Sequence, residues 1–99
     1  LWNNKMMYEL SQAFAGRIES EVPESLTDQV HHIYMLAFNR PPSAAEQSLG
    51  VTTLGTLAEA LTQQTTDLGN EKPRGLILNR ALTEYCHTIL NSAAFIYVD

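Results

Sequence analysis

The sequence is short of cysteine, of basic residues and of charge in general. One Cys in 99 residues excludes an internal disulfide, and no Cys-x-x-Cys-His motif is present to attach a c-type haem. Six Lys and Arg against eleven Asp and Glu leave a net charge of −5, which argues against a nucleic-acid or anionic-membrane partner. No stretch approaches the roughly 18 to 20 apolar residues that span a bilayer. These absences exclude an internal disulfide and an attached c-type haem, and they argue against a nucleic-acid partner and a membrane span.

The low charge also indicates how much of the surface of the chain is exposed to solvent in its parent protein. Charged residues make up 17% of the sequence and apolar residues 44%, whereas about 25% charged is usual for soluble domains. A surface with so little charge indicates that part of it is covered in a larger protein. A chain of 99 residues is long enough for one hydrophobic core. We therefore expect residues 1–99 to form a single domain of a longer chain.

A stiff turn between two helices is the clearest local signal. Pro41 and Pro42 stop the preceding helix, because neither donates a backbone N–H. Ser43 with Glu46 three residues later is a capping box that starts the next helix. Arg40 should therefore bond the last carbonyls of the preceding helix or pair with Glu46 across the turn. These five residues predict a structural turn.

Apolar periodicity predicts an all-α domain, a small bundle of about four helices without a strand. The predicted helices run from 5 to 20, from 26 to 38, from 44 to a loop over 67–75, and from 76 to 91. Ser25 or Thr27 is the expected N-cap of the second helix. The third should be irregular, kinked or broken near Gly50 and Gly55, because each glycine costs about 1 kcal/mol relative to Ala in a helix interior.

Each predicted helix carries an apolar stripe that we expect to face the core. The stripes are Met7, Leu10, Phe14 and Ile18; Val30, Ile33, Tyr34, Ala37 and Phe38; Ala45, Leu49, Leu54, Leu57 and Leu61; and Leu78, Leu82, Tyr85 and Ile89. Tyr34 and Tyr85 should lie at the core edge with their hydroxyls in water. The apolar segment 95–98 should turn at Ala93 and Ala94 and pack back on the bundle.

The titratable residues predict no catalytic group, metal site or cofactor. His31 and His32 are adjacent on a helix and point about 100° apart, so they cannot easily share one metal ion. Cys86 beside His87 lies near the apolar stripe without an activating partner, which favours a core thiol. Glu19, Glu21 and Glu24 around Pro23 are typical of a hydrated loop, since no calcium-binding order is present.

Three residues are candidates for binding. Arg40 could present its guanidinium fork to a carboxylate or sulfate of a ligand if Glu46 is turned away. Trp2 and Tyr97 lie near the two ends of the chain, where an aromatic ring could contact a carbohydrate or the rest of the parent protein.

The turn and the end of the chain also carry a family resemblance. Residues 33–46, together with the ending 90–99, resemble the C-terminal portion of the large planctomycete-type proteins classed as a domain of unknown function and often found with cytochrome c-like modules. The opening, residues 1–18, is similar to the segment that precedes the Arg-Pro turn in that family. Where its members carry an Asn-Glu pair before the Phe, this chain has Ala93 and Ala94. The resemblance implies a helical C-terminal piece of a larger, extracytoplasmic protein, and it implies no particular activity.

Two functions remain open. The first is a non-catalytic helical docking or interaction module that binds the rest of its parent chain or another protein. The second is an accessory part of an extracytoplasmic enzyme that acts on polysaccharide or in redox chemistry, to which this chain contributes binding residues such as Arg40 and Trp2. A contiguous apolar patch would favour docking, whereas a pocket that gathers Arg40, a His and an aromatic ring would favour the enzyme.

Overall fold

Four helices make up the computed structural model, which describes residues 4–67, 69 and 74–97, with side chains as far as residue 93. The helices are α1 (Asn4–Glu21), α2 (Leu26–Phe38), α3 (Ala44–Asp67) and α4 (Arg74–Tyr97). They pack as a small all-α bundle, and the described ranges contain no strand. None of these helices is long and apolar enough to cross a bilayer.

Helix α2 has the bounds that the sequence predicts, because both of its ends are capped. Ser25, not Thr27, is the N-cap, and its side chain accepts a hydrogen bond from the Asp28 N–H at 3.2 Å. Asn39 takes the left-handed conformation, with φ 56°, and its N–H donates to the Met35 carbonyl at 3.0 Å. This C-cap ends the helix immediately before the two prolines.

Helix α3 runs without a break from Ala44 to Asp67, so an interruption near its glycines is the wrong reading of the sequence. Gly50 is buried in the contact between α3 and the neighbouring helices. A Cβ at this position would lie 2.5 Å from the Tyr85 hydroxyl oxygen and 2.8 Å from Val30 Cγ1. The close approach of α2 and α4 therefore explains Gly50, whereas a Cβ at Gly55 would meet nothing within 4 Å.

Helices α1 and α4 form the most extensive pairing among the described elements, and they run antiparallel. Near one end the Tyr8 hydroxyl donates to a Glu84 carboxylate oxygen at 3.4 Å. Near the other, the Asn79 amide donates to Glu19. The first and last helices therefore lie side by side along much of their length.

The buried stripe of α1 differs from the predicted one. Its buried residues are Met7, Ser11, Ala15 and Ile18, whereas Leu10 is 39% exposed and Phe14 is only partly buried. The small polar residue Ser11 is thus buried in place of the larger Leu10. Its hydroxyl donates to the Met7 carbonyl at 2.7 Å, which satisfies the group inside its own helix.

The core lies where all four helices meet. It is built on the following buried residues: Ala15, Ile18, Val30, Ile33, Tyr34, Leu54, Leu82, Tyr85, Cys86 and Ile89. Tyr34 is 8% and Tyr85 is 5% exposed, so both are buried rather than at a wet edge. Desolvation raises the pKa of both phenols. Leu49 is 69% exposed and Leu78 is 38% exposed, so neither joins the core as predicted.

Helix α4 is longer than predicted at both ends. It begins at Arg74 and continues to Tyr97, so the turn expected at Ala93 and Ala94 is instead helical. Ala93 itself is buried. The predicted packing of the side chains of 95–98 lies outside the described residues.

Candidate functional site

Arg40 is held by the turn that follows it. Its Nη1 donates to Glu46 Oε1 at 2.8 Å and its Nη2 donates to Glu46 Oε2 at 3.0 Å, which makes a bidentate pair. Its Nη1 also donates to the Pro41 carbonyl at 3.0 Å. The guanidinium carbon lies 5.7 Å from the Tyr34 ring centroid and 5.5 Å from that of Phe38. The pairing with Glu46 is one of the two arrangements that the sequence predicts for Arg40.

The capping box completes this turn. The Ser43 N–H donates to Glu46 Oε1 at 2.8 Å, and the Glu46 N–H donates to the Ser43 hydroxyl at 3.1 Å. Pro41 and Pro42 fill the link between these groups and α2. Hydrogen bonds from Arg40, and then from the Ser43 backbone, lower the pKa of the Glu46 carboxyl to about 2. Glu46 is therefore ionised, and its carboxylate pairs with the Arg40 guanidinium.

The two aromatic candidates cannot be placed in a site. Trp2 lies outside the described residues, and Tyr97 ends α4 with its side chain outside them. Both remain sequence-based predictions.

The histidines do not form a metal centre. His31 is exposed. His32 Nε2 lies 2.5 Å from Glu21 Oε1, and Arg17 donates to Glu21 Oε2 at 3.0 Å. Bonds from His32, and then from Arg17, lower the pKa of Glu21. Among the described residues, no three His, Cys, Asp or Glu side chains are grouped closely enough to hold a metal ion.

Cys86 is a buried thiol, with no exposed surface. Burial raises its pKa to about 12, so the thiol stays protonated and is a poor nucleophile. The neighbouring His87 ring packs edge-on against Tyr8, with centroids 5.8 Å apart. Within the described ranges, His87 Nε2 and the buried Thr83 hydroxyl have no hydrogen-bond partner.

A groove along the first half of α4 is the feature that sequence reasoning missed. It consists of two adjoining depressions of about 380 and 640 Å³ that share Arg74 and Leu78, and we call it the α4 groove. One depression reaches the link between α1 and α2, and the other follows the second half of α3. Its apolar floor is formed by Leu26, Leu54, Ile77, Leu78, Ala81 and Leu82, and its charged rim by Glu19, Glu24, Glu59 and Arg74.

An apolar side chain is exposed at this groove. Leu78 lines both depressions and is 38% exposed, whereas Ile77 is buried. Leu76 is 60% exposed but lines neither depression. The sequence does hold a signal for this arrangement. Residues 76, 77 and 78 are consecutive and apolar, and successive helical side chains point about 100° apart, so one face cannot bury all three.

The groove does not have the composition of a catalytic site. Ser25 lines it, but its hydroxyl caps α2, and Glu19 accepts a hydrogen bond from Asn79. Neither depression is lined by a described His, Cys or aromatic residue, and Arg40 lies outside both. The described lining residues therefore contain no nucleophile beside a base. The arrangement can bury an apolar side chain between charged groups.

Comparisons with known proteins assign no function to this geometry. No protein-family model, curated protein or solved structure matches the chain.

Proposed function

We propose that this chain is a non-catalytic helical docking module, which binds another part of its parent protein or a second protein through the α4 groove. The observation that carries the proposal is the exposure of Leu78 where it lines both depressions of an apolar concavity. Single exposed leucines are common on protein surfaces. A leucine that lies beside other apolar lining residues belongs to a patch that a partner can cover.

A partner would gain binding energy at the groove by covering apolar surface that is exposed to water in the isolated chain. Fully burying one leucine side chain stabilises a complex by roughly 1.5 to 3 kcal/mol. Leu78 retains part of that area in water, and the low charge of the chain adds to the apolar character of the surface. The proposed family relationship, to the C-terminal portion of large planctomycete-type proteins, agrees with a role inside a longer extracytoplasmic protein.

The alternative is an accessory part of an enzyme that acts on polysaccharide or in redox chemistry. It needs Arg40 to face a ligand, whereas both guanidinium nitrogens of the fork contact Glu46. It also needs a pocket in which Arg40 meets a His and an aromatic ring, and neither depression of the groove is such a pocket. Docking is therefore the function that we propose.

Site-specific photocrosslinking tests the proposal. A benzoylphenylalanine at position 78, in the protein as its host produces it, should give one discrete crosslink, either within the parent chain or to a partner. Position 49 on α3 is the matched control, because Leu49 is more exposed than Leu78 and lies outside the groove. The same crosslinking pattern from both positions, or no product from position 78, would contradict the docking role.

A further inference from the structure

We infer that the α4 groove accepts a basic amphipathic helix, with apolar side chains along one face and Lys or Arg beside them. This inference rests on the docking function proposed above, and it deepens it by naming the chemistry of the partner. It follows from the pattern of charge around the apolar floor.

The rim of the groove is mainly acidic. Glu19, Glu24 and Glu59 contribute three carboxylates against the single guanidinium of Arg74. Glu19 accepts a hydrogen bond from the uncharged amide of Asn79, which leaves its negative charge in place. No described residue forms an ion pair with Glu24 or Glu59. Because these carboxylates lack a cation in the described part of the chain, a partner can supply one.

Residues outside the rim add further negative charge to this side of the protein and to the chain as a whole. Asp28 lies in the first turn of α2, three residues after Ser25, which lines the groove. The whole chain carries a net charge of −5. Such a potential speeds the encounter with a basic partner and selects against an acidic one. A phosphate-rich or acidic segment would meet repulsion on this rim.

The apolar floor of the groove is the reason to expect apolar side chains along one face of the partner helix. Leu26, Leu54 and Leu82 lie beneath the rim, and Leu78 projects from α4 into both depressions. A helix that docks in a groove does so through apolar residues spaced three and four apart. Apolar contact provides most of the affinity in this arrangement, and the carboxylates provide specificity for the flanking cations.

Three synthetic peptides test the inference on the complete chain. Each has about 14 residues, or roughly four helical turns, with leucines at the same positions and either Lys, Gln or Glu at the others. Binding is measured by calorimetry and mapped by NMR chemical-shift changes. We expect the Leu-Lys peptide to bind about tenfold more tightly than the Leu-Gln peptide, with the largest chemical-shift changes at the α4 groove. Its affinity should fall as salt is added.

Matched substitutions distinguish binding at the groove from a general attraction to the net negative charge of the protein. Glu24→Gln and Glu59→Gln should each lower the affinity for the Leu-Lys peptide by about two- to fivefold, which is the range for an exposed ion pair. Glu9→Gln removes the same charge from α1, outside the groove, and should leave the affinity unchanged. Leu78→Gln should abolish binding, while circular dichroism shows whether the helical fold is retained.

The possible outcomes are distinct. Equal or tighter binding of the Leu-Gln or Leu-Glu peptide at the groove overturns the basic partner and leaves the docking function in place. Equal weakening by Glu9→Gln and Glu24→Gln shows attraction to net charge, which also overturns it. Chemical shifts at the groove could instead change when only the protein concentration is raised, while sedimentation shows a dimer. That result would show that a second copy of the chain occupies the groove, and it would overturn the basic partner. Absence of shifts at the groove with every peptide overturns the inference, and the crosslink from position 78 then decides the docking function separately.

Discussion

A methyl group added at Gly50 should destabilise the bundle, whereas the same methyl group at Gly55 should stabilise it. Both glycines lie inside α3. Replacing either one with Ala therefore gains about 1 kcal/mol of helix propensity. The two positions differ in their surroundings, because Gly50 is pressed against Tyr85 and Val30 and a Cβ at Gly55 has no neighbour within 4 Å.

The magnitude follows from two contacts. An alanine Cβ at position 50 would lie 2.5 Å from the Tyr85 hydroxyl oxygen and 2.8 Å from Val30 Cγ1. Both side chains are buried, and Val is stiff at χ1, so neither can move without displacing the core. Overpacking of this kind costs about 1 to 3 kcal/mol. After the propensity gain, Gly50→Ala should lose up to about 2 kcal/mol, whereas Gly55→Ala should gain about 1 kcal/mol.

Thermal and urea unfolding, followed by circular dichroism, measure this contrast. The variants should differ by about 1 to 3 kcal/mol, which corresponds to roughly 4 to 24 °C in Tm for a chain of this size. Tyr85→Phe removes the nearer oxygen, so the double variant Gly50→Ala/Tyr85→Phe should recover part of the loss. Equal stabilisation by Gly50→Ala and Gly55→Ala would refute the tight contact of α3 with α2 and α4.

Four further predictions follow from the turn, the thiol and the end of the chain. Ser43→Ala should lower the free energy of unfolding by about 1 kcal/mol through loss of the α3 cap; an unchanged urea midpoint would contradict this. The pKa of Glu46 is lowered from 4.5 to about 2, so its stabilisation is present above pH 4.5 and is lost as the pH falls towards 2. The stability difference between the native chain and Glu46→Gln should shrink over that window, and a constant difference would argue against the ion pair. Cys86 should react with a thiol reagent only after denaturation, because it is buried. Deleting residues 95–99 should lower Tm if their apolar side chains pack on the bundle, and an unchanged Tm would indicate a docking tail.

Local signals predicted the elements whose ends are capped nearby. Ser25 and the Pro41-Pro42 pair bracket α2, and its predicted bounds are confirmed. The Arg40 turn is equally local, since Arg40, Ser43 and Glu46 lie within seven residues and their chemistry allows few arrangements. In both cases, the groups that determine the geometry are neighbours in sequence.

Features that depend on distant helices were not predictable in this way. Gly50 lowers helix propensity, but whether a glycine breaks a helix or admits a neighbour depends on Tyr85, 35 residues away in α4. Ser11 is likewise buried and Leu10 exposed, although Leu10 is the residue that the apolar periodicity of α1 selects. The α4 groove combines residues of all four helices, so no single periodic stripe could reveal it.

The pairing of α1 with α4 sets the order in which the domain can be completed. Tyr8 and Glu84 are 76 residues apart in sequence, and Glu19 and Asn79 are 60 apart. At a synthesis rate of about 5 to 20 residues per second, a ribosome needs roughly 3 to 15 s to make the intervening chain. Throughout that time α1 lacks the helix that covers its inner face. The face of α1 that α4 covers in the finished domain therefore stays without its partner helix until α4 has been synthesised.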